Sequence, residues 1–394
     1  MNLATPLGIY VHAPFCKHAC PYCDFYKMEL RERPARERLD FPERAGREHA
    51  LLLDADPALA QRPLATIYFG GGSPSTLPPG GVIWLVGQLR ARHPRLDDAE
   101  ITLEANPENL TPARCREWRR AGITRLSIGV QSFHPRDLRR LERLHEPELV
   151  PRVVANAREA GIDNLSLDLM FGLPDQTLDD WLDNLRQAVE LAPNHVSFYG
   201  LTIHEGTPFH VEHAAGRLSL PDEDLQAEMY LRGAHLLESA GFEHYEISNF
   251  SLVNHRSRHN QRYWTGEDVL GLGPGAHSNV GSRRWANPDD IDAWKGALAQ
   301  GILPSQQALL LDDEAELHER LFRGLRRAEG LAADSPPGWL LAAWLDAPAG
   351  REALQRGLVR RAPGRIALTR AGWLLSDGIL SSILGLAAAG VVGR

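Results

Sequence analysis

The chain has 394 residues, of which 43% are hydrophobic and 24% are charged. This composition is ordinary for a globular protein and leaves room for two domains. The net charge of −8 gives no electrostatic reason to expect a nucleic-acid partner. Four cysteines in a chain of this length are too few for a disulfide framework.

The two ends of the chain bear on its location. The N-terminal residues do not form a charged and then apolar leader, so we expect a cytoplasmic protein with reduced thiols. The longest mostly apolar stretch, 379–392, is shorter than the roughly 20 residues that a membrane-spanning helix needs. We expect this stretch to form a buried terminal helix, and the alternative is a peripheral membrane contact.

Three closely spaced cysteines, Cys16, Cys20 and Cys23, follow the first predicted strand. Iron–sulfur clusters are usually held by four thiolates. A C-x3-C-x2-C run supplies three, which leaves one iron of a four-iron cluster open to bind a small molecule. On these residues alone, the alternative is a zinc site closed by His12 or His18 as the fourth ligand.

Short β-rich runs alternate along the chain with segments of helical periodicity. The predicted strands are 8–12, 66–69, 101–104, 125–130, 165–169, 196–201 and 244–247. The predicted helices between them are 82–92, 112–121, 149–160, 178–191 and 224–240. Three of these helices end in Ala-Gly, which is a C-cap signal. The alternation predicts an α/β fold with a parallel sheet, as a partial or full TIM-type (β/α) barrel over residues 1–290.

After residue 290 the alternation of strands and helices stops. Helices are predicted at 312–330 and 339–345, and a hairpin at 358–368 is followed by a helix from Thr369. This order predicts a small winged-helix-like domain over residues 291–394. Its charges roughly balance, which favours packing or partner docking over nucleic-acid binding.

Polar residues follow the predicted barrel strands at their carboxyl ends, where parallel βα folds bind ligands. They are, in strand order, Gly70 to Ser73, Glu104, Gln131, Asp168 and Thr202. Glycines can form an anion-binding nest of backbone N–H groups, whereas a strand-end carboxylate can instead cap a helix. Because these residues recur at successive strand ends after a cysteine loop, we predict one shared ligand site.

This combination resembles the radical S-adenosylmethionine (SAM) superfamily, and within it the oxygen-independent coproporphyrinogen III oxidase group and its relatives. The similar segments are Tyr10-x-His12-x-Pro14-Phe15-Cys16, Tyr68-Phe69-Gly70-Gly71-Gly72-Ser73-Pro74, Gly129-Val130-Gln131-Ser132-Phe133 and Asp168-Leu169-Met170-Phe171-Gly172-Leu173-Pro174. The resemblance spans essentially the whole chain. It implies a radical SAM barrel in which Cys16, Cys20 and Cys23 hold a [4Fe–4S] cluster and SAM binds the open iron.

The resemblance also implies roles for individual residues at the SAM site. Tyr10 and Tyr22 would flank the cluster and the bound SAM. Gly72 and Ser73 would hold the methionyl end of SAM through backbone groups. Glu104 would accept hydrogen bonds from the ribose hydroxyls. The other implied SAM-site positions, some of which line a second SAM in the oxidase, are Gln131, Arg143, Asp168 and Thr202. Thr202 departs from the residue usual in the oxidase.

Two departures from the oxidase favour its sister family, the HemW-type heme chaperones. The oxidase has a further cysteine two residues past the third, where this chain has Phe25, and it has a longer segment before the cluster. A third feature agrees, because His259-Asn260-Gln261-Arg262-Tyr263-Trp264 fits the His-Asn-x-x-Tyr-Trp motif of the chaperones. Neutral imidazole is a common ligand of haem iron, so His259 is the predicted haem residue. Its alternative role is that of a packed, hydrogen-bonded turn residue.

The resemblance therefore implies a SAM- and [4Fe–4S]-dependent heme chaperone. Such a protein binds haem as cargo and passes it to apo-proteins such as respiratory haem enzymes. The alternative is coproporphyrinogen III oxidase of porphyrin biosynthesis, which decarboxylates two propionates through a SAM-derived radical. The residues do not decide whether SAM is cleaved, so the sequence leaves enzyme activity open.

Overall fold

The computed structural model describes residues 5–94, 96–305 and 307–388. Its strands, in chain order, are β1 (Leu7–Ala13), β2 (Phe15–Cys16), β3 (Met28–Glu29), β4 (Leu64–Gly71), β5 (Glu100–Ala105), β6 (Arg125–Gln131), β7 (Asn164–Phe171), β8 (His195–Gly200), β9 (Glu243–Glu246), β10 (Asn249–Ser251), β11 (Val269–Leu272), β12 (His277–Val280), β13 (Arg283–Ala286), β14 (Leu309–Leu310), β15 (Leu331–Ala332), β16 (Val359–Ala362) and β17 (Arg365–Leu368).

Helices separate most of these strands. In chain order they are α1 (Ala35–Ala55), α2 (Pro79–Ala91), α3 (Pro112–Ala121), α4 (Pro135–Arg140), α5 (Leu149–Glu159), α6 (Leu178–Glu190), α7 (Pro208–Ala214), α8 (Glu223–Ser239), α9 (Arg258–Thr265), α10 (Ile291–Ala299), α11 (Asp313–Leu325), α12 (Pro336–Asp346), α13 (Pro348–Gln355), α14 (Arg370–Leu374) and α15 (Ser376–Ala388).

The main sheet is a partial barrel. Its parallel part runs in the order β11-β1-β4-β5-β6-β7-β8. Antiparallel strands extend both ends, with β12, β13 and β14 beyond β11 and with β10 and β9 beyond β8. Within the described residues the two outermost strands, β14 and β9, are not paired with each other, so the barrel stays open. The predicted α/β class is confirmed.

The central strand β1 shows why the sheet forms as it does. Leu7, Ile9 and Val11 are fully buried and belong to the hydrophobic core. The alternate residues Tyr10 and His12 line a cavity. Because successive side chains of a strand point to opposite faces, β1 gives one face to the apolar core and the other to this cavity.

The Ala-Gly helix ends predicted from the sequence are confirmed. Gly122 follows α3 with φ of +92°, and Gly161 and Gly241 adopt φ of +82° and +92° after α5 and α8. Glycine adopts this left-handed conformation without the strain that a side chain would add. Each such turn lets the chain leave its helix and enter the next strand.

The seventh parallel strand differs from the prediction. The predicted strand 244–247 is β9, which pairs antiparallel with β10. The seventh parallel strand is instead β11, which pairs with β1 on the side away from β4 and has Val269 opposite Gly8. This strand has four residues, includes Gly271 and is followed at once by Gly273, so its composition resembles that of a turn.

The C-terminal region has the predicted winged-helix-like order. Its elements follow one another as α11, β15, α12, α13, β16 and β17, and the strands form the antiparallel sheet β15-β17-β16. The hairpin turns at Gly364, whose φ is +70°, and Thr369 caps α14 by accepting from the Gly372 N–H. The boundary at residue 290 stays a prediction. Just beyond it, Trp294 of α10 stacks on Phe41 of α1.

Helix α15 covers most of the predicted apolar terminal helix. Ile379 and Ile383 in it are buried, as expected. The end of that stretch, 389–392, lies outside the described residues. Among the helices of the described ranges, none is both long enough and apolar enough to cross a membrane.

Candidate functional site

A cavity of about 480 Å³ lies inside the barrel, and we call it the barrel cavity. The cysteine loop and residues of β4 to β8 form its walls. Most of the predicted site residues line it, namely Cys16, Cys20, Tyr22, Cys23, Gly72, Ser73, Glu104, Gln131, Arg143, Asp168 and Thr202. The structure therefore brings these residues together around one space. Tyr10 and His259 lie elsewhere.

The cysteine loop is closed at its base by the pairing of β2 with β3. All three cysteines are free thiols. Burial raises the pKa of the Cys16 thiol to about 11 and also raises the pKa of Cys23. A metal cluster has to displace these protons, because the thiolate is the form that binds metal.

A chain of hydrogen bonds joins Cys20 to Cys16 through Arg143, which follows α4, and through Asn106 and Ser73, which follow β5 and β4. Arg143 donates to Cys20 Sγ at 3.7 Å and to Asn106 Oδ1 at 2.7 Å. Asn106 Nδ2 donates to Ser73 Oγ at 2.9 Å, and Ser73 Oγ donates to Cys16 Sγ at 3.7 Å. Hydrogen-bond donors at sulfur stabilise thiolates and influence the reduction potential of an iron–sulfur cluster. The sequence pattern places Asn106 at a strand end but gives it no role.

The two histidines considered as zinc ligands are engaged elsewhere. His12 donates through Nε2 to the Tyr26 carbonyl at 2.9 Å and accepts through Nδ1 from the Tyr10 hydroxyl at 3.2 Å. His18 Nε2 lies 2.7 Å from Glu142. In the part of the chain that the structure describes, no three His, Cys, Asp or Glu side chains are close enough to hold a single metal ion. A four-iron cluster spaces its thiolates more widely because each binds a different iron. Three thiols in one cavity with donors beside them fit such a cluster.

Glu104 presents a half-buried carboxyl group to the barrel cavity. Its Oε1 accepts a hydrogen bond of 2.7 Å from the Tyr68 hydroxyl. Burial, with a smaller contribution from the nearby charge of Asp168, raises the pKa of this carboxyl to about 7. A carboxylate in such a water-poor cavity can make strong, charge-assisted hydrogen bonds to the hydroxyl groups of a ligand.

The glycine loop after β4 packs on the end of β1 and does not offer its N–H groups to a ligand. The Gly72 N–H donates to the Ala13 carbonyl at 3.0 Å, and the Ser73 N–H donates to the Phe15 carbonyl at 2.8 Å. A Cβ at Gly72 would lie 2.7 Å from the carbonyl carbon of Pro14. The anion nest predicted here therefore does not form from these two N–H groups. Any backbone contact from these two residues to a ligand has to come from carbonyl oxygens.

Gln131 is held in an uncommon conformation at the end of β6. Its φ is +67°, and the pairing of β6 with β7 shifts register between Gly129 and Gln131. The Gln131 Oε1 accepts a hydrogen bond of 2.8 Å from the Tyr199 hydroxyl. A left-handed backbone at a residue other than glycine costs about 1–3 kcal/mol, and such strain clusters at functional sites. Tyr199 is a cavity residue that the predicted site omits.

Asp168 anchors a second polar network in the barrel cavity. Its carboxylate accepts hydrogen bonds from Ser127 at 2.9 Å and from Ser166 at 3.0 Å. Ser166 Oγ also lies 2.8 Å from Nδ1 of His195, whose Nε2 lies 2.8 Å from the Tyr245 hydroxyl. Burial raises the pKa of Asp168 to about 6 and lowers the pKa of His195 well below its ordinary value. The polar lining thus reaches the amino-terminal end of β8.

His259 lies in the core beside the barrel cavity and is 1% exposed. Its Nδ1 lies 2.8 Å from Thr66 Oγ1, and its Nε2 lies 3.3 Å from the Tyr263 hydroxyl. Burial lowers the pKa of His259 to about 3. Both ring nitrogens are therefore engaged, and iron can reach Nε2 only if the Tyr263 hydroxyl moves away. Haem ligation by His259 stays a prediction.

Another cavity, of about 1290 Å³, lies on the far side of the His259 and Tyr263 rings from the barrel cavity. We call it the second cavity. Tyr10 lines the second cavity and does not line the barrel cavity, so only Tyr22 of the predicted pair lines the barrel cavity. Helix α9 contributes Asn260 to the barrel cavity and Tyr263 and Trp264 to the second cavity. The His-Asn-x-x-Tyr-Trp motif therefore lies between the two cavities.

Comparison with known proteins gives concordant results. Residues 10–188 match the model of the Radical SAM superfamily. The chain is 33% identical to "Heme chaperone HemW" of Bacillus subtilis over 380 residues, covering 95% of this chain and 98% of the relative. It is 42% identical to "Heme chaperone HemW" of Escherichia coli over 277 residues, covering 70% of each. The solved structure of coproporphyrinogen III oxidase (HemN) from Escherichia coli superimposes with a TM-score of 0.80 at 24% identity, covering 96% of this chain and 90% of that one.

Proposed function

Because the chain belongs to the HemW heme chaperone family of the radical SAM superfamily, we propose that it binds haem as cargo and delivers it to apo-proteins. The full-length similarity to relatives named heme chaperone is the observation that carries this proposal. Respiratory haem enzymes are the proposed acceptors. A [4Fe–4S] cluster and SAM are the proposed resident cofactors.

Cys16, Cys20 and Cys23 would hold the cluster. When bound, the cluster supplies an open iron that coordinates SAM and can pass an electron to it. The chain's own part is to stabilise the thiolates. Arg143 donates to Cys20, and Lys27 adds positive charge near Cys23, whose carbonyl accepts from Lys27 Nζ at 2.5 Å.

The barrel cavity would hold SAM. Its volume of about 480 Å³ lies within the range of about 300–1,000 Å³ that small-molecule sites occupy. Glu104 would accept from the ribose hydroxyls, and Asp168 and Gln131 would offer further polar groups on the strands β7 and β6. The remaining proposed SAM residues that line this cavity are Tyr22, Gly72, Ser73, Arg143 and Thr202. The cytoplasmic location and the peripheral membrane contact of the terminal stretch stay predictions.

Two assays on the anaerobically reconstituted full-length chain test the proposal. In the first, the protein is titrated with haem and then mixed with the apo-form of a respiratory haem enzyme, and transfer is followed by absorbance. In the second, it is incubated with coproporphyrinogen III, SAM and a reductant, and the porphyrin products are separated. The proposal expects stable stoichiometric haem binding, transfer to the acceptor and no protoporphyrinogen.

Failure in either assay is informative. A chain that binds no haem would refute the chaperone function. Robust protoporphyrinogen formation would replace that function with the oxidase. Repeating the transfer assay with Cys20→Ala, which lacks a proposed cluster ligand, and with Cys115→Ala as a matched control shows whether delivery requires the cluster.

A further inference from the structure

The second cavity is bounded by the barrel edge on one side and by the C-terminal region on the other. Strands β12 and β13 and the motif helix α9 contribute lining residues, as do helices α11 and α15. Its volume of about 1290 Å³ exceeds the range of about 300–1,000 Å³ that is usual for small-molecule sites. A cavity of this volume has room for a macrocyclic ligand.

Taking the proposed chaperone function as its premise, we propose that the second cavity is the haem site and that His277 binds the haem iron. This assignment deepens the proposed function by placing the cargo in a cavity separate from the SAM site.

The walls of the second cavity are rich in exposed apolar groups. Phe25 is 63% exposed, Leu309 is 63% exposed and Phe322 is 42% exposed, and all three line this cavity. Trp264 and Trp285 line it as well. A cluster of large exposed apolar side chains marks a binding surface, and flat aromatic rings pack well against a flat porphyrin face.

His277 supplies an accessible imidazole. It is exposed, lines the second cavity and makes no side-chain hydrogen bond within the described residues. Its backbone is fixed, because β12 pairs His277 with Ala286 of β13. His12 and His318 also line the cavity. Protein partners occupy both ring nitrogens of His12, as they do those of His259, and His318 Nε2 lies 3.8 Å from the Glu314 carboxylate. Since haem iron takes a neutral imidazole nitrogen, His277 can bind without first breaking a hydrogen bond.

The charges around the second cavity suit a ferric porphyrin with two propionates. Arg284 and Arg323 both pair with Glu319, at 2.8 Å and 3.1 Å, so this group keeps one net positive charge for a propionate. The other lining carboxylates are Asp24 and Asp289. They complement the net positive charge of a ferric porphyrin core. The lining thus offers charges of both signs to a ligand that carries both.

The second cavity adjoins the cysteine loop. Asp24 and Phe25, which directly follow Cys23, line both cavities. Phe25 stands where the oxidase has a further cysteine, so this position supplies apolar wall instead of a thiol. The loop that would carry the cluster therefore separates the proposed cargo from the proposed SAM site.

The test uses two ligands on the reconstituted full-length chain. Haem binding is followed by its absorption spectrum, and binding of iron-free protoporphyrin IX is followed by fluorescence. His277→Ala is expected to change the haem spectrum and to weaken haem binding about tenfold or more, which is about 1.4 kcal/mol. Its affinity for protoporphyrin IX should stay nearly unchanged, because that ligand has no iron to bind. His235→Ala, at an exposed position on α8, is the matched control.

Two further variants test the cavity itself. Ala315→Trp fills the second cavity, and Leu309→Glu places a carboxylate on its exposed rim. Each variant should therefore bind both haem and protoporphyrin IX more weakly. Cluster absorbance and SAM binding, which depend on the barrel cavity, show that a variant is folded. Unchanged haem binding in folded forms of all these variants would overturn the site and leave the chaperone function standing. A spectrum altered by His259→Ala or His318→Ala and not by His277→Ala would overturn the ligand assignment. A wild-type chain without haem affinity would refute the chaperone function itself.

Discussion

Tyr10 and Tyr68 stack with their ring centroids 6.1 Å apart, and each lines a different cavity. They are direct neighbours on the parallel strands β1 and β4. Tyr68 also donates its hydroxyl hydrogen to Glu104, the carboxylate assigned to SAM. Two aromatic rings therefore form the partition between the proposed SAM site and the second cavity at this point.

Glu104→Gln should weaken SAM binding about tenfold or more. Each charge-assisted hydrogen bond to a ribose hydroxyl contributes about 1.5–3 kcal/mol, and about 1.4 kcal/mol is one factor of ten in affinity. Calorimetry on the reconstituted protein measures the change, with the exposed Glu148→Gln as control. An unchanged affinity would mean that this carboxylate does not contact SAM.

The same carboxylate predicts a pH dependence. Burial raises the pKa of Glu104 to about 7, so its ionised fraction falls as the pH falls through that value. SAM affinity of the wild-type chain should therefore decrease from about pH 8 to about pH 6. The Glu104→Gln variant lacks this group, and subtracting its titration removes contributions from SAM itself. Parallel curves for the two proteins would count against Glu104 as the titrating group.

Cys20→Ala should abolish the reconstituted cluster, whereas Cys115→Ala should leave it intact. Cys20 lines the barrel cavity with the other two loop cysteines, but Cys115 is fully buried in α3. Iron content and visible absorbance after anaerobic reconstitution measure the outcome. Equal iron content in the two variants would argue against the assigned ligands.

Arg143→Gln should make the reduction potential of the cluster more negative. The guanidinium places a positive charge and a donor at Cys20 Sγ, and both favour the reduced cluster, which carries one more electron. Arg140→Gln is a matched control, because Arg140 pairs with Glu212 and does not line the barrel cavity. A redox titration followed by electron paramagnetic resonance compares the two. The assignment fails if both variants give the wild-type potential.

The parallel strands were predictable where a local signal marked each one. The run 125–130 is short, has apolar residues at the alternate positions Leu126, Ile128 and Val130, and is preceded by the helix end at Gly122; it forms β6. Strand β11 carries no such signal, because it is short and surrounded by glycines. Its place beside β1 depends on contacts between residues far apart in the sequence. Local patterns cannot supply that information.

The sequence predicted many of the residues that form the candidate site, but it did not predict which of their atoms face a ligand. The sequence motifs include Gly72 and His259. The Gly72 N–H, however, donates to the carbonyl of Ala13 in β1, and both ring nitrogens of His259 have hydrogen-bond partners in the core. Burial and neighbouring backbone decide which atoms face a ligand. Asn106 and Tyr199 were missed for the same reason, since each acts through a partner that is distant in the sequence.

Glu48 joins helix α1 to the segments around β11 and α10. Its Oε2 accepts from the Gly273 N–H at 2.8 Å and from Trp294 Nε1 at 2.9 Å, and its Oε1 accepts from Asn287 Nδ2 at 2.5 Å. Burial raises the pKa of this carboxyl from its ordinary value of 4.5 to about 7. Gln carries a neutral amide in place of this carboxyl group, so a Glu48→Gln variant has no group that titrates here.

The difference in free energy of unfolding between the wild-type chain and Glu48→Gln should therefore shift by about 1–3 kcal/mol in favour of the variant between about pH 5 and about pH 8. The folded wild-type chain keeps the Glu48 proton up to about pH 7, whereas the unfolded chain releases it above about 4.5. Wild-type stability therefore falls, relative to that of the variant, as the pH rises through this window. Chemical denaturation at both pH values measures it, with the exposed Glu43→Gln on the same helix as control. A difference that is equal at the two pH values would mean that Glu48 does not titrate in this window.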